Sequence, residues 1–292
     1  MLTSALLRKS LVSLAAVVLL AQTQTQARAE WQPGVYMTQA VGQVMESVQN
    51  INNKFKYGYD DGVSILASFQ SPKAETTFRR PVVKGQRYAI LGGGDNDVKD
   101  LDIEVSDEDG RVFASDKQND NAPVVTFTAH FTGMITVKQT LFDAPRGSFC
   151  VMAFLRDGGW RVTQDNLVKS VVNTMVACNR IDQKLKDSLY FQSGNNQWAI
   201  YGGILRKGET QEISKIALGT GRFLILSRGD LSAKDIDIFV TAGDKTVKDD
   251  EPDAEPTVDV NTQEVSSASV KVRNSDSDGP TLILTTVLQV RN

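Results

Sequence analysis

Residues 94–105 read GDNDVKDLDIEV, and residues 229–240 read GDLSAKDIDIFV. The two stretches align without a gap and are identical at seven positions. Upstream, GQRYAIL at 85–91 is similar to TGRFLIL at 220–226. A similarity that is repeated at one spacing over this length predicts that the chain contains one structural unit twice.

Each copy begins with a predicted helix. Apolar residues recur at spacings of three and four, the pattern of one buried helical face. Asp165 and Asn166 are both candidates for the N-cap of the second helix. The apolar positions are Val41, Val44, Met45, Val48 and Ile51 in the first copy, and Val168, Val171, Val172, Met175, Cys178 and Ile181 in the second.

The rest of each copy has the pattern of short strands and turns. Leu101, Ile103 and Val105 alternate with acids, as in a half-buried strand. Asp107–Gly110 has turn composition, because Asp binds backbone amides and Gly accepts a positive φ. We therefore expect a mostly β fold of two tandem antiparallel β-sandwich domains, each preceded by an amphipathic helix, with the boundary near Gly158 and Gly159. The predicted domains are residues 30–158 and 159–292.

The repeated strand resembles the hallmark of the bacterial pre-peptidase C-terminal (PPC-like) domain family. That hallmark is a strand with Asp-x-Asp, a turn with Asp-x-x-Gly and a return strand, here Asp100–Val105 followed by Asp107–Gly110, with a second copy at Asp235–Val240. The resemblance covers roughly 70 residues of each copy and omits both helices. It implies a jelly-roll-like sandwich that acts as a non-catalytic module, and no peptidase domain accompanies it here.

The first 29 residues have the composition of a signal peptide. Arg8 and Lys9 precede an apolar stretch from Leu11 to Ala21, and Ala27-Arg28-Ala29 is a suitable cleavage site. The apolar stretch is too short for a permanent anchor, and we expect no membrane span in the mature chain, which is periplasmic or secreted. Cleavage would change the net charge from −3 to −6, 35 acids against 29 bases. Such a balance argues against nucleic acid as a partner.

Catalytic chemistry has few candidates. The chain has one histidine, His130, without a nucleophile motif around it, so we expect no enzyme. Two cysteines, Cys150 and Cys178, form a disulfide in one interpretation and are separate core residues in the other.

Clustered aspartates suggest calcium as a possible cofactor, because carboxylates on a loop suit this cation. In the alternative interpretation, Asp102 and Asp237 accept hydrogen bonds from loop backbone amides and the other aspartates are solvated turn residues. The candidates are Asp95, Asp97, Asp100 and Asp102 in the first copy, and Asp230, Asp235 and Asp237 in the second.

Aromatic residues offer a candidate ligand platform at Tyr57, Tyr59 and Trp198, although such residues also occur at strand ends that pack into a core. The sequence thus predicts an exported binding or accessory protein whose partner is an envelope protein or a surface polysaccharide. The alternative is a scaffold subunit of an envelope complex. Equivalent exposed side chains in both copies would favour bivalent binding, whereas divergence of one copy would favour the scaffold. The oligomeric state is open.

Overall fold

A computed structural model describes residues 32–52, 55–185, 187–194 and 196–291. The proposed signal peptide lies outside these residues. The described chain is mostly β, with three antiparallel sheets and two helices. The elements of the first half are α1 (Gln32–Asn52), β1 (Tyr57–Tyr59), β2 (Val63–Gln70), β3 (Glu75–Val82), β4 (Arg87–Gly94), β5 (Asp100–Ser106), β6 (Val112–Asp116), β7 (Val124–Thr128), β8 (Gly133–Asp143) and β9 (Ser148–Asp157).

The second half repeats this order. Its elements are α2 (Gln164–Lys184), β10 (Ser188–Phe191), β11 (Ile200–Leu205), β12 (Thr210–Leu218), β13 (Gly221–Gly229), β14 (Ala233–Ala242), β15 (Lys245–Asp249), β16 (Thr257–Thr262), β17 (Ser266–Ser277) and β18 (Thr281–Arg291).

The two halves share one sheet. Its strand order is β16-β13-β18-β11-β2-β9-β4-β7, with β1 beside β9 and β10 beside β18. The seam between the halves is the antiparallel pair of β2 and β11, in which Ala67 lies opposite Ile200 and Leu66 opposite Tyr201. The Gly158-Gly159 segment therefore connects two parts of one continuous sheet.

Each half adds a four-stranded sheet of its own, β3-β8-β5-β6 in the first and β12-β17-β14-β15 in the second. Alternating residues of the shared sheet enter two different cores. Phe149, Val151 and Ala153 of β9 pack with both helices, whereas Met152 and Phe154 pack with the small sheets. The helices thus cover one face of the shared sheet, and the small sheets cover the other.

Both helices are present, and the predicted stripe is buried in α1 except for half-buried Val48. In α2 only Val171 and Cys178 of the predicted positions are fully buried, and the buried face is rotated toward Leu167, Ser170 and Thr174. Met37, Ala40 and Val44 of α1 are buried, and Leu167, Ser170 and Thr174 of α2 are buried at equivalent places 130 residues later. The N-cap of α2 is Thr163, whose hydroxyl accepts from the Asn166 amide at 3.2 Å. The prediction of Asp165 or Asn166 was wrong by two or three positions, because Thr163 occupies the extended backbone position where a cap accepts.

The hairpins after the Asp-x-Asp strands differ between the halves. Gly110 closes the first turn with a φ of 79°, and its amide donates to the Asp107 carbonyl. In the second half Ala242 lies opposite Lys245, which leaves Gly243 and Asp244 as a two-residue loop with a φ of 58° at Gly243. The glycine has moved from the end of the turn to its start, in agreement with the shorter loop.

Neither helix among the described residues is long and apolar enough to cross a membrane.

Candidate functional site

Asp95 and Asp230 are equivalent buried carboxylates. The Asp95 carboxylate accepts from the amides of Asp97 at 3.0 Å and Phe149 at 2.7 Å. The Asp230 carboxylate accepts from those of Ser232 at 2.8 Å and Leu282 at 3.0 Å. Burial raises the pKa of both carboxyls, and the amide bonds oppose this effect. Asp95 therefore links the end of β4 to β9, and Asp230 links the end of β13 to β18.

A second pair of aspartates holds the loop before each outer strand. Asp116 accepts from the Val124 amide at 2.8 Å, and Asp249 accepts from the Thr257 amide at the same distance. Sequence analysis missed these residues, although both lie at the same spacing before a repeated proline, Pro123 or Pro256.

The remaining candidate acids have separate surroundings. Asp97 forms an ion pair with Arg146 at 2.7 Å, and Asp237 accepts from the Ser275 hydroxyl. Asp102 is half-buried, and burial followed by the nearby Asp100 raises its pKa. The amide acceptors are thus Asp95 and Asp230 rather than Asp102 and Asp237, which lie within strands whose amides are already paired.

Asp100 and Asp235 each keep one buried carboxylate oxygen without a hydrogen-bond partner among the described residues. Burial raises the pKa of Asp100, and the charges of Asp120 and Asp143 raise it further. Asp235 has the same direction of shift, from burial and then from neighbouring acids that include Asp237.

The described residues contain no group of three or more His, Cys, Asp or Glu side chains arranged to hold a metal ion. Calcium binding at these aspartates therefore stays a prediction from the sequence. In the structure the two best-placed carboxylates, Asp95 and Asp230, already have both oxygens bound to backbone amides.

The aromatic platform is absent. Tyr57 and Trp198 are each 4% exposed, and Tyr59 is buried with them. Tyr59 belongs to the core beneath the helices, and the Trp198 indole donates to the Thr77 carbonyl at 3.0 Å. These burials contradict the prediction of an exposed platform: Tyr57 and Tyr59 of the short strand β1 pack into the core beneath the helices, and Trp198, just before β11, packs into the core on the side of the small sheets.

The disulfide is also absent. Cys150 and Cys178 are both free and buried. Cys150 packs with Leu101 and Leu141 on the small-sheet side, whereas Cys178 of α2 packs on the helix side. The shared sheet therefore separates the two thiols, and burial raises the pKa of each, to about 12 for Cys178.

The open surface feature of the described chain is a groove between α1 and the outer strand β7. Its volume is about 510 Å³. Phe55 and Val124 on its walls are 43% and 38% exposed, so the groove presents two large apolar side chains side by side with polar ones. The lining residues are Gln43, Glu46, Ser47, Asn50, Ile51, Phe55, Ala122, Val124 and Thr126.

The equivalent region of the second half contains two arginines. Arg180 of α2 forms an ion pair with Glu255 at 3.5 Å, where the first half has Asn50 and Ala122. Arg228 is buried under α2 and donates to the Pro256 carbonyl at 2.8 Å.

Gly93 is the counterpart of Arg228 in the first half. A Cβ on Gly93 would lie 2.7 Å from the Ala40 carbonyl oxygen, so α1 lies directly on this glycine. The two copies therefore differ in how the helix meets the sheet. They also differ at positions 50 and 122 of the groove lining, and a comparison of the two copies at 50, 93 and 122 would have indicated these differences.

No protein-family model and no curated protein matches the chain. Among solved structures, it is similar to PliG from Aeromonas hydrophila, a periplasmic inhibitor of g-type lysozyme, at 10% identity and a TM-score of 0.24, over 32% of this chain and 85% of that one. It is also similar to the secreted serine protease VesC from Vibrio cholerae, at 13% identity and a TM-score of 0.22, over 73% and 50%. At these TM-scores neither likeness bears on function.

Proposed function

We propose that the protein is an exported, non-catalytic binding protein that holds a partner protein in the groove of its first half. The observation that carries this proposal is the open groove with exposed Phe55 and Val124, at a place where the second half has the Arg180–Glu255 ion pair and buried Arg228. Exposed apolar side chains around a concave surface are typical of protein-binding sites.

Export is supported by the signal-peptide composition of residues 1–29, which places the partner in the periplasm or outside the cell. The resemblance to tandem jelly-roll-like PPC modules supports a role without catalysis. Burial of Tyr57, Tyr59 and Trp198 removes the aromatic surface on which a polysaccharide ligand was expected.

Divergence of the two halves argues against bivalent binding and, by the criterion stated for the sequence, also favours the scaffold. The groove is the feature that supports attachment of a partner at one site instead. The second half shares its sheet with the first through β2 and β11, and it supports the groove as part of one body. A scaffold role is the second candidate, because the second half has an exposed ion pair between Arg180 and Glu255 at the equivalent place.

Photo-crosslinking in intact cells tests the proposed function. A photoreactive amino acid is placed at Phe55 or Val124 in the groove, and at Leu231 or Val265 as controls, which are more exposed but lie in the second half. We expect one protein adduct of the same mass at both groove positions and none at the controls. Adducts at the controls with none in the groove would overturn the proposal and favour the scaffold.

A further inference from the structure

The strand β7 leaves part of its outer edge unpaired. Its one strand partner among the described residues is β4, and the bonds from the Gly92 amide to the Pro123 carbonyl and from the Ala129 amide to the Gln86 carbonyl show which residues face β4. Odd-numbered residues of β7 thus face β4, and even-numbered residues face outward. Asp116 holds the Val124 amide, whereas the amides of Thr126 and Thr128 have no protein partner among the described residues.

The edge of β7 also carries no charge. Its sequence is VVTFT, and natural proteins usually protect an exposed edge strand with charged residues or proline. The equivalent strand β16 does have such protection, because Asp259 occupies the place of Thr126 and binds Arg222 with distances of 2.6 and 2.9 Å. The difference between the edges follows the difference between the grooves.

A strand added to β7 would lie roughly 4.8 Å from it and would extend the shared sheet into the groove. Every second side chain would face α1, where Ile51 and Phe55 supply apolar contacts. Glu46 is exposed and is the one charged residue among the described residues that line the groove. A cationic side chain on the added strand would complement it.

We propose that β7 receives an extended segment of the partner protein as an additional strand, and that this segment has alternating apolar residues and a Lys or Arg opposite Glu46. Main-chain hydrogen bonds to Thr126 and Thr128 supply the attachment, and the groove supplies the selectivity. The inference rests on the proposed function, since it specifies how the groove holds its partner.

Selection from a random peptide display library on the purified protein tests the inference. The enriched peptides should alternate apolar and polar residues, contain Lys or Arg, and bind about two- to fivefold more weakly to Glu46→Gln than to the unchanged protein, which is the range of an exposed ion pair. Thr126→Pro removes one outward amide and leaves the bonds to β4 intact. It should weaken binding by a similar factor, and amide exchange at Thr126 and Thr128 should slow when an enriched peptide is added.

Asp259→Pro is the matched control, because it makes the same change at the equivalent edge position of β16. It should leave peptide binding unchanged. Peptides that bind Thr126→Pro as well as the unchanged protein, or a selection without enrichment, would overturn strand addition. Groove crosslinks that persist in Thr126→Pro cells would at the same time retain the proposed function, so the two failures are distinguishable.

Discussion

At the scale of single residues, the repeated aspartates Asp95 and Asp230 form side-chain hydrogen bonds to backbone amides that connect strands within each half. The sequence shows that Asp95 and Asp230 recur, but it does not show which amides they meet, because Phe149 and Leu282 lie more than fifty residues away along the chain. The calcium interpretation arose because the amide partners are not visible in the sequence. Acids that are close together in sequence could bind a cation as well as backbone amides. The burial of Tyr57 and Trp198 was undetermined for a similar reason, since it depends on the helices and the small sheets that cover the two faces of the shared sheet.

Asp95→Ala should lower the free energy of unfolding by about 2 kcal/mol, because it leaves the buried Phe149 amide without an acceptor. Asp230→Ala should cost a similar amount. Urea denaturation of the purified variants measures both, with Asp97→Ala as the control, since Asp97 loses only a partly exposed ion pair. A cost for Asp95→Ala no larger than the control's would contradict the assigned role.

Asp100→Asn should stabilise the protein at pH 7, because it removes a carboxylate whose charged form is disfavoured by burial and by the charges of Asp120 and Asp143. Because the pKa of Asp100 is raised in the folded state, its carboxylate lowers the free energy of unfolding above the folded-state pKa. It has no such effect below the ordinary pKa of 3.8, where the group is protonated in both states. The gain should therefore vanish as the pH falls below 3.8.

Melting temperatures across this range measure the effect, and Asp244→Asn is the control because it removes one exposed acid without these neighbours. The metal interpretation would be favoured instead if Asp100→Asn were less stable than the unchanged protein at pH 7, and if added calcium raised the melting temperature of the unchanged protein but not that of the variant.

At the scale of secondary-structure elements, the two helices meet the shared sheet differently. The apolar periodicity predicted both helices and the buried face of α1. It did not predict how closely each helix approaches the sheet, because that distance depends on what the strand beneath carries, Gly93 under α1 and Arg228 under α2. The repeat alignment contains this difference, but its meaning requires the helix to be placed over the strand.

Gly93→Ala should destabilise the protein by about 1–3 kcal/mol, because the new methyl group would meet the Ala40 carbonyl and the Val44 side chain. Thermal unfolding provides the measurement. Gly219→Ala is the matched control, since a Cβ there has open space around it. Equal stability of the two variants would show that α1 does not rest on β4 at this glycine.

At the scale of the whole molecule, the two repeats share one continuous sheet. The sequence predicted two units and the strands within them, because repeats and alternation are local patterns. It did not predict that β2 and β11 would pair, because this pairing joins one strand from each repeat. The apolar pattern of a strand shows which face is buried, but it does not specify which strand lies beside it. The seam also explains how one half can diverge and still be held in place.

The protein should unfold in a single transition, because separating the halves would expose the seam and the core beneath both helices. Far-ultraviolet circular dichroism and tryptophan fluorescence should give the same midpoint in urea. Two separated transitions would mean that the halves are independent domains.

The central claim is that the open groove of the first half is the binding site, and closing it is the most direct test. In the second half Arg180 and Glu255 cross the equivalent space, so the double variant Asn50→Arg with Ala122→Glu introduces the same pair into the first half. An exposed pair of this kind changes stability little. The measurement is the yield of partner crosslinks from a photoreactive residue at position 124. The account predicts a fall of at least about tenfold relative to the open groove, and an unchanged yield would contradict it.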